Sequence, residues 1–208
     1  RTNNTKIWFV LGTIVIMEHP EREMSSDDGH AAAEAARKIT SADFSFQFSA
    51  AREHQKVEKK VFNILCEISK ENKKKDSKLG ILVVFGVFDT AKDYVVSGMR
   101  QIGINPIQKY IDISNTSFKD EISNLFRDGA DGAIIINRNG QIIGTKVYLI
   151  VDNPSLEVPE GCGTRHISAA SFSERDDVIA VFTLSEETSV VRTWKNGSFT
   201  DQFNPEDE

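Results

Sequence analysis

Apolar positions follow two regimes along the chain, and the change comes near residue 51. Before it, KIWFVLGTIVIM at 6–17 is almost continuously apolar and predicts one buried strand. SSDDGHAAAEAARKI at 25–39 offers cap residues and then an alanine-rich helix, and Phe44, Phe46 and Phe48 alternate after it. Beyond residue 51, Val57, Val61, Ile64, Leu65 and Ile68 recur at helical spacing, which predicts an amphipathic helix over 52–72 with one core-facing stripe. Lys73–Lys75 closes that helix, where cations suit the negative end of its dipole. GILVVFG at 80–86 reads as a short strand buried on both faces. SFKDEISNLFRDG at 117–129 predicts a second amphipathic helix. Ala133–Ile136, the turn Asn139–Gly140 and QIIGTKVYLIV at 141–151 then read as strand, hairpin turn and returning strand. A loop carrying Pro154 and Pro159 leads to a helix over 166–175, followed by strands at Val178–Leu184 and Ser189–Trp194 joined by SEET.

This order predicts an α/β fold with a mixed central β-sheet flanked by helices over residues 51–208. Residues 1–50 form a small strand-helix appendage with no visible chemistry, which reads as a packing or assembly element. A chain of 208 residues buries a real core, and 39% hydrophobic with 27% charged residues describes a soluble globular protein. The net charge of −6 argues against general nucleic-acid binding, yet leaves room for a nucleotide where basic groups concentrate in one pocket. Cys66 and Cys162 are too few for a disulfide framework, and Cys66 falls in a helical pattern as a small core residue. The apolar run Ile7–Met17 is too short to cross a bilayer and has no cleavage site, so no membrane partner and a cytoplasmic location are expected. The first residue is Arg1, not Met, which raises the expectation of a piece of something longer.

The chemistry concentrates in GCGTRHISAA at 161–170. Gly161 and Gly163 let backbone approach a ligand closely, and Thr164 is placed to cap the following helix with its N–H groups facing outward. Arg165 adds a planar fork for phosphate oxygens, and His166 suits a metal or a phosphate. The blander reading is an ordinary capped helix with a surface arginine and a buried histidine. In RDGADGAIIIN at 127–137, Asp131 stands directly before a buried strand, with Gly132 and Ala133 leaving space beside it. A carboxylate there binds a metal or takes a proton from a hydroxyl, although Asp-Gly before a strand is also a common turn, as at Asp128–Gly129. SEE at 185–187 sets a hydroxyl and two carboxylates at a strand end; alone, it reads as an acidic hairpin turn.

Taken in order, DGA at 131–133, KVYLIVDNPSLEVPEGCGTRH at 146–166 and SEET at 185–188 resemble the diadenylate cyclase family, across roughly residues 52–197. That family is marked by a DGA motif followed by an RHR motif. The resemblance implies condensation of two ATP molecules into cyclic di-AMP with release of two pyrophosphates, with Mn²⁺ or Mg²⁺ required. It implies Asp131 near the attacking 3′-hydroxyl and the metal, with Gly132 and Ala133 leaving room for the nucleotide. It places Thr164, Arg165 and His166 on the triphosphate and metal, with Gly163 beside them, and Leu149 on the adenine. Ser185 and Glu187 fall to the phosphate or metal side. Two nucleotides must then meet in line, which implies a homo-oligomer with active sites face to face.

One position departs from the pattern: Ile167 stands where the RHR motif ends in arginine. It keeps open a second reading, a catalytically weak module that binds ATP or cyclic di-AMP as a sensor. A third, a thiol enzyme using Cys162 and His166, rests on their proximity alone.

Overall fold

The computed structural model describes residues 6–10, 13–17, 26–74, 78–88, 98–102, 107, 111–127, 131–151, 158 and 162–207, with side chains from residue 49 onward. Gly161, Pro154, Pro159, Asp128–Gly129 and the side chains of Phe44, Phe46 and Phe48 lie outside that description. The chain divides into two compact units, Arg1–Ser49 and Ala50–Glu208.

In the first unit, the apolar run expected as one strand is a two-stranded antiparallel hairpin. Strands β1 (Lys6–Val10) and β2 (Thr13–Met17) pair Ile7 with Ile16 and Phe9 with Ile14. Gly12, between them, was the signal for a turn inside the run. The two helices expected at 25–39 and 52–72 are one helix, α1 (Ser26–Asn72), because no proline or glycine interrupts residues 30–72.

The second unit is built on an eight-stranded mixed sheet. In chain order its elements are β3 (Ile81–Gly86), β4 (Met99–Gln101), β5 (Ile111–Asp112), α2 (Phe118–Arg127), β6 (Ala133–Asn137), β7 (Gln141–Leu149), α3 (Thr164–Phe172), β8 (Val178–Leu184), β9 (Val191–Lys195) and β10 (Ser198–Phe203). The strand order is β10-β9-β8-β3-β6-β7-β4, with β5 also on β7. Only the pair β3–β6 is parallel, and α2 lies on the connection between them. The β6–β7 hairpin turns at Gly140, whose φ of +76° suits glycine, and its N–H donates to the Asn137 carbonyl at 2.9 Å.

Side chains of β3 alternate between two hydrophobic clusters, as a strand covered on both sides requires. Ile81, Val83 and Phe85 join Val61, Leu65 and Ile68 of α1 and Phe118 and Ile122 of α2. Leu82 and Val84 join Ala169, Ala170 and Phe172 of α3 and Trp194 of β9. The helical stripe read from the sequence is therefore the buried one, and Cys66 packs half-buried against the first cluster. No helix among the described residues is long and apolar enough to cross a membrane.

Candidate active site

Where the second cluster meets the surface lies an open cavity of about 1330 Å³. Leu82, Val147 and Leu149 belong to both the cluster and the cavity wall. The cavity also collects Asp131 and Gly132 from the start of β6, Gly163, Thr164, Arg165 and His166 from the start of α3, and Ser185, Glu186 and Glu187 from the turn after β8. Of the described residues singled out around the motifs, Ala133 and Ile167 are absent from this wall; Ala133 is fully buried in the second cluster.

Gly132 has a structural reason for its identity. Its φ is +103°, and a Cβ there would stand 2.9 Å from the backbone N and O of Val147. The space expected for a nucleotide is taken by the backbone of β7, so the close packing of β6 on β7 fixes where Asp131 sits. The Asp131 carboxylate is exposed to the cavity and accepts the Gly132 N–H at 2.9 Å.

The helix α3 begins at Thr164 rather than 166, so Thr164 is its first residue and not its cap. The cap position is Gly163, in extended backbone, and makes no side-chain cap bond to the helix start. The Gly163 carbonyl takes the N–H of His166 at 2.9 Å and of Ile167 at 3.3 Å. A Cβ at Gly163 would meet nothing within 4 Å, so the cavity reaches the uncapped end of the helix unhindered. Free N–H groups and the helix dipole favour an anion there.

His166 is 6% exposed. Its ring lies 6.0 Å from that of Trp194, which is held by a bond from its Nε1 to Thr183 Oγ1 at 2.9 Å. Arg192 Nη1 lies 3.4 Å from His166 Nε2; a guanidinium only donates, so Nε2 accepts and the proton sits on Nδ1. Burial, then the charges of Arg192 and Arg165, push the imidazole down to about 4, so it is neutral at pH 7. Arg192 is in turn tied by its Nε to Gln202 Oε1 at 2.9 Å.

The turn after β8 is held from within. Ser185 Oγ accepts the Thr188 N–H at 3.2 Å, and the Glu187 carbonyl accepts Lys78 Nζ at 3.2 Å, while the Glu186 and Glu187 residues are exposed. Lys78, Tyr148 and Arg192 were not singled out in the sequence. Lys78 adds a cation to the wall, and Tyr148, 51% exposed, follows Val147 along β7. Arg192 reaches His166 only through the β8–β9 and β9–β10 pairing, which no local motif announces.

The family described as DisA bacterial checkpoint controller nucleotide-binding, the DAC domain, matches residues 68–199, and the chain belongs to it. Among curated relatives, a diadenylate cyclase of Haloferax volcanii is 28% identical over 162 residues, covering 76% of this chain and 56% of the relative. A diadenylate cyclase of Methanocaldococcus jannaschii is 29% identical over 148 residues, covering 71% of this chain and 45% of the relative. The chain thus spans about half the length of the curated relatives it matches. Among solved structures, DacA from Staphylococcus aureus, in a double-mutant form, is similar at a TM-score of 0.49 and 22% identity, covering 74% of this chain and 91% of that one. A hypothetical membrane spanning protein from Bacillus cereus gives the same TM-score and identity over 67% of this chain and 59% of that one.

Proposed function

We propose that this domain is a diadenylate cyclase, joining two ATP molecules into cyclic di-AMP with release of two pyrophosphates. The observation that carries the reading is one cavity lined together by Asp131, the start of α3, Arg165 and His166. Leu149 and Tyr148 supply the apolar wall for an adenine, and the α3 N–H groups, Arg165 and Lys78 hold the triphosphate. Asp131 orients and deprotonates the 3′-hydroxyl. The freed oxygen bonds to the α-phosphorus of the other ATP, and the bond from that phosphorus to pyrophosphate breaks; a second such step closes the ring. Phosphoryl transfer asks mainly for positioning and charge stabilisation, which a carboxylate and cations lining one cavity provide.

The donor set fits a Mg²⁺ or Mn²⁺ ion carried by the phosphates. Among the described residues no three His, Cys, Asp or Glu side chains gather into a cage, and these cations are commonly held by one or two protein ligands plus phosphate and water. Asp131 and the neutral His166 are the two ligands offered. Asp131 is the stronger, because a cation at His166 must displace Arg192 from Nε2 beside two guanidiniums. When bound, the ion neutralises phosphate charge and eases departure of pyrophosphate.

Each cavity holds one nucleotide in this reading, so two protomers meet face to face, with homo-oligomer formation weakened by the net charge of −6. The test is incubation with ATP and Mn²⁺ and chromatography of the product across a dilution series. Cyclic di-AMP is expected, with activity per protomer rising with protein concentration. Constant activity down to concentrations where sedimentation shows only monomer would refute the paired sites. ATP binding without product would favour the sensor reading that Ile167 keeps open.

A further inference from the structure

The segment 78–80 ties together three distant parts of the second unit. Lys78 Nζ donates to the Glu187 carbonyl at 3.2 Å, at the turn after β8. The peptide of Leu79 is held at both ends by Asn72 near the end of α1: its N–H donates to Asn72 Oδ1 at 3.0 Å, and its carbonyl accepts Asn72 Nδ2 at 2.8 Å. Asn72 is 1% exposed, so its amide is spent on this clamp and held there by packing. At the next residue, Gly80, the guanidinium of Arg165 occupies the space where a Cβ would stand. A Cβ at Gly80 would collide with Arg165 Nη1 and come within 2.8 Å of Cζ and 3.0 Å of Nη2. Three guanidinium atoms at such distances show a group packed into space that only a glycine leaves open.

Nothing about the strand demands this glycine. No positive φ is recorded at Gly80, so other residues fit its backbone conformation, unlike that of Gly132. Its neighbour Ile81 opens β3 and is fully buried, so the shelf beneath the guanidinium is anchored on the strand side as well.

Resting on the nucleotide reading above, we infer that Gly80 is a positioning residue that seats the Arg165 guanidinium against the backbone just before β3 and aims it at the phosphates of the bound nucleotide. Arg165 is a long side chain, half-buried at the cavity wall, and the seat removes rotamer freedom that binding must otherwise overcome. Asn72 serves the same seat one step removed, by fixing the peptide that precedes it.

The test is a double-mutant cycle between Gly80→Ala and Arg165→Ala, read by calorimetry with ATP and with adenosine, and by thermal unfolding. Gly80→Ala is expected to weaken ATP about tenfold, the equivalent of one charge-assisted contact, while leaving adenosine affinity and unfolding temperature unchanged. On the Arg165→Ala background it is expected to add less than about twofold, since coupled residues are non-additive. Equal losses on both backgrounds, or no loss in the parent, would overturn the seat. The Arg165 Nε–H resonance of the ligand-free protein gives a reading independent of nucleotide: it is expected to move in Gly80→Ala. If the parent binds no ATP, the nucleotide reading falls, and an unmoved resonance then overturns the seat as well.

Discussion

The two faces of the eight-stranded sheet receive alternate residues of the same strands and do different work. One face lies under α1 and α2, whose stripes of valine, leucine, isoleucine and phenylalanine close over Ile81, Val83 and Phe85. The other lies under the nine-residue α3, which contributes Ala169, Ala170 and Phe172. Long side chains on two helices cover the first face. A short helix with small side chains covers only part of the second, and where it stops the core side chains Leu82, Val147 and Leu149 become a cavity wall. Burial on this scale stabilises through apolar area and close packing, whereas a cavity keeps polar groups poised at the expense of that packing. The lesson is a separation of duties by strand parity: one residue's step along β3 moves from a position that holds the fold to one that borders the chemistry.

That separation breaks most visibly at Asp131. Asp131→Asn keeps size and the contact with Gly132 N–H but removes the carboxylate proposed as base, and turnover is expected to fall by about 10²–10⁴-fold. ATP affinity by calorimetry should stay within a few-fold and unfolding temperature should not move. Near-normal turnover would strip Asp131 of its role.

On the opposite face, Leu65→Ala tests the other half of the comparison. Leu65 is fully buried among α1, β3 and α2 residues, and its truncation is expected to cost about 2–5 kcal/mol in urea unfolding. ATP affinity per folded molecule should be unchanged. A large loss of affinity at full folding would mean the two faces are coupled through the sheet.

Acid sharpens the contrast through the buried imidazole of His166. Its native value, about 4, lies below the ordinary 6.5, so the unfolded chain binds the extra proton first as pH falls. Its contribution is therefore complete above pH 6.5 and lost between there and about 4, on the order of 3 kcal/mol in all. Unfolding measured in chelator across that window should show the slope, and His166→Gln should flatten it. An identical slope in the variant would assign the acid sensitivity elsewhere.

How much of this was legible in the sequence depends on how local its cause is. The stripe Val57–Ile68, the strand at 81–86 and the Asn139–Gly140 turn were legible because period and turn chemistry are properties of neighbours. Asp131, Gly132, Gly163–His166 and Ser185–Glu187 of the cavity were legible as motifs, whereas Lys78 and Tyr148 were not, and the reason for Gly132 was a neighbouring strand and not a ligand. Strand β10 was missed because SFTDQF is exposed at every position but Phe203, so it carries no apolar alternation. Gly80 and Arg192 were missed for a related reason. Each matters through a partner far along the chain, Arg165 in one case and His166 in the other, and such a contact leaves no periodic trace.

The vacant cap at Gly163 sets two selective pressures against each other. Its backbone, at φ −82° and ψ −174°, suits any residue, and a Cβ there meets open space, so Gly163→Ser is sterically free. Serine at that position also bonds to the exposed N–H groups, adding a few tenths of a kcal/mol over glycine. A lineage selected for heat tolerance alone would accept that change early, since it carries no packing penalty. The same hydroxyl would occupy the donors that an anion needs. Glycine at 163 is thus a place where this protein forgoes an available gain in robustness, and directed evolution for stability should be screened there for silent loss of ligand.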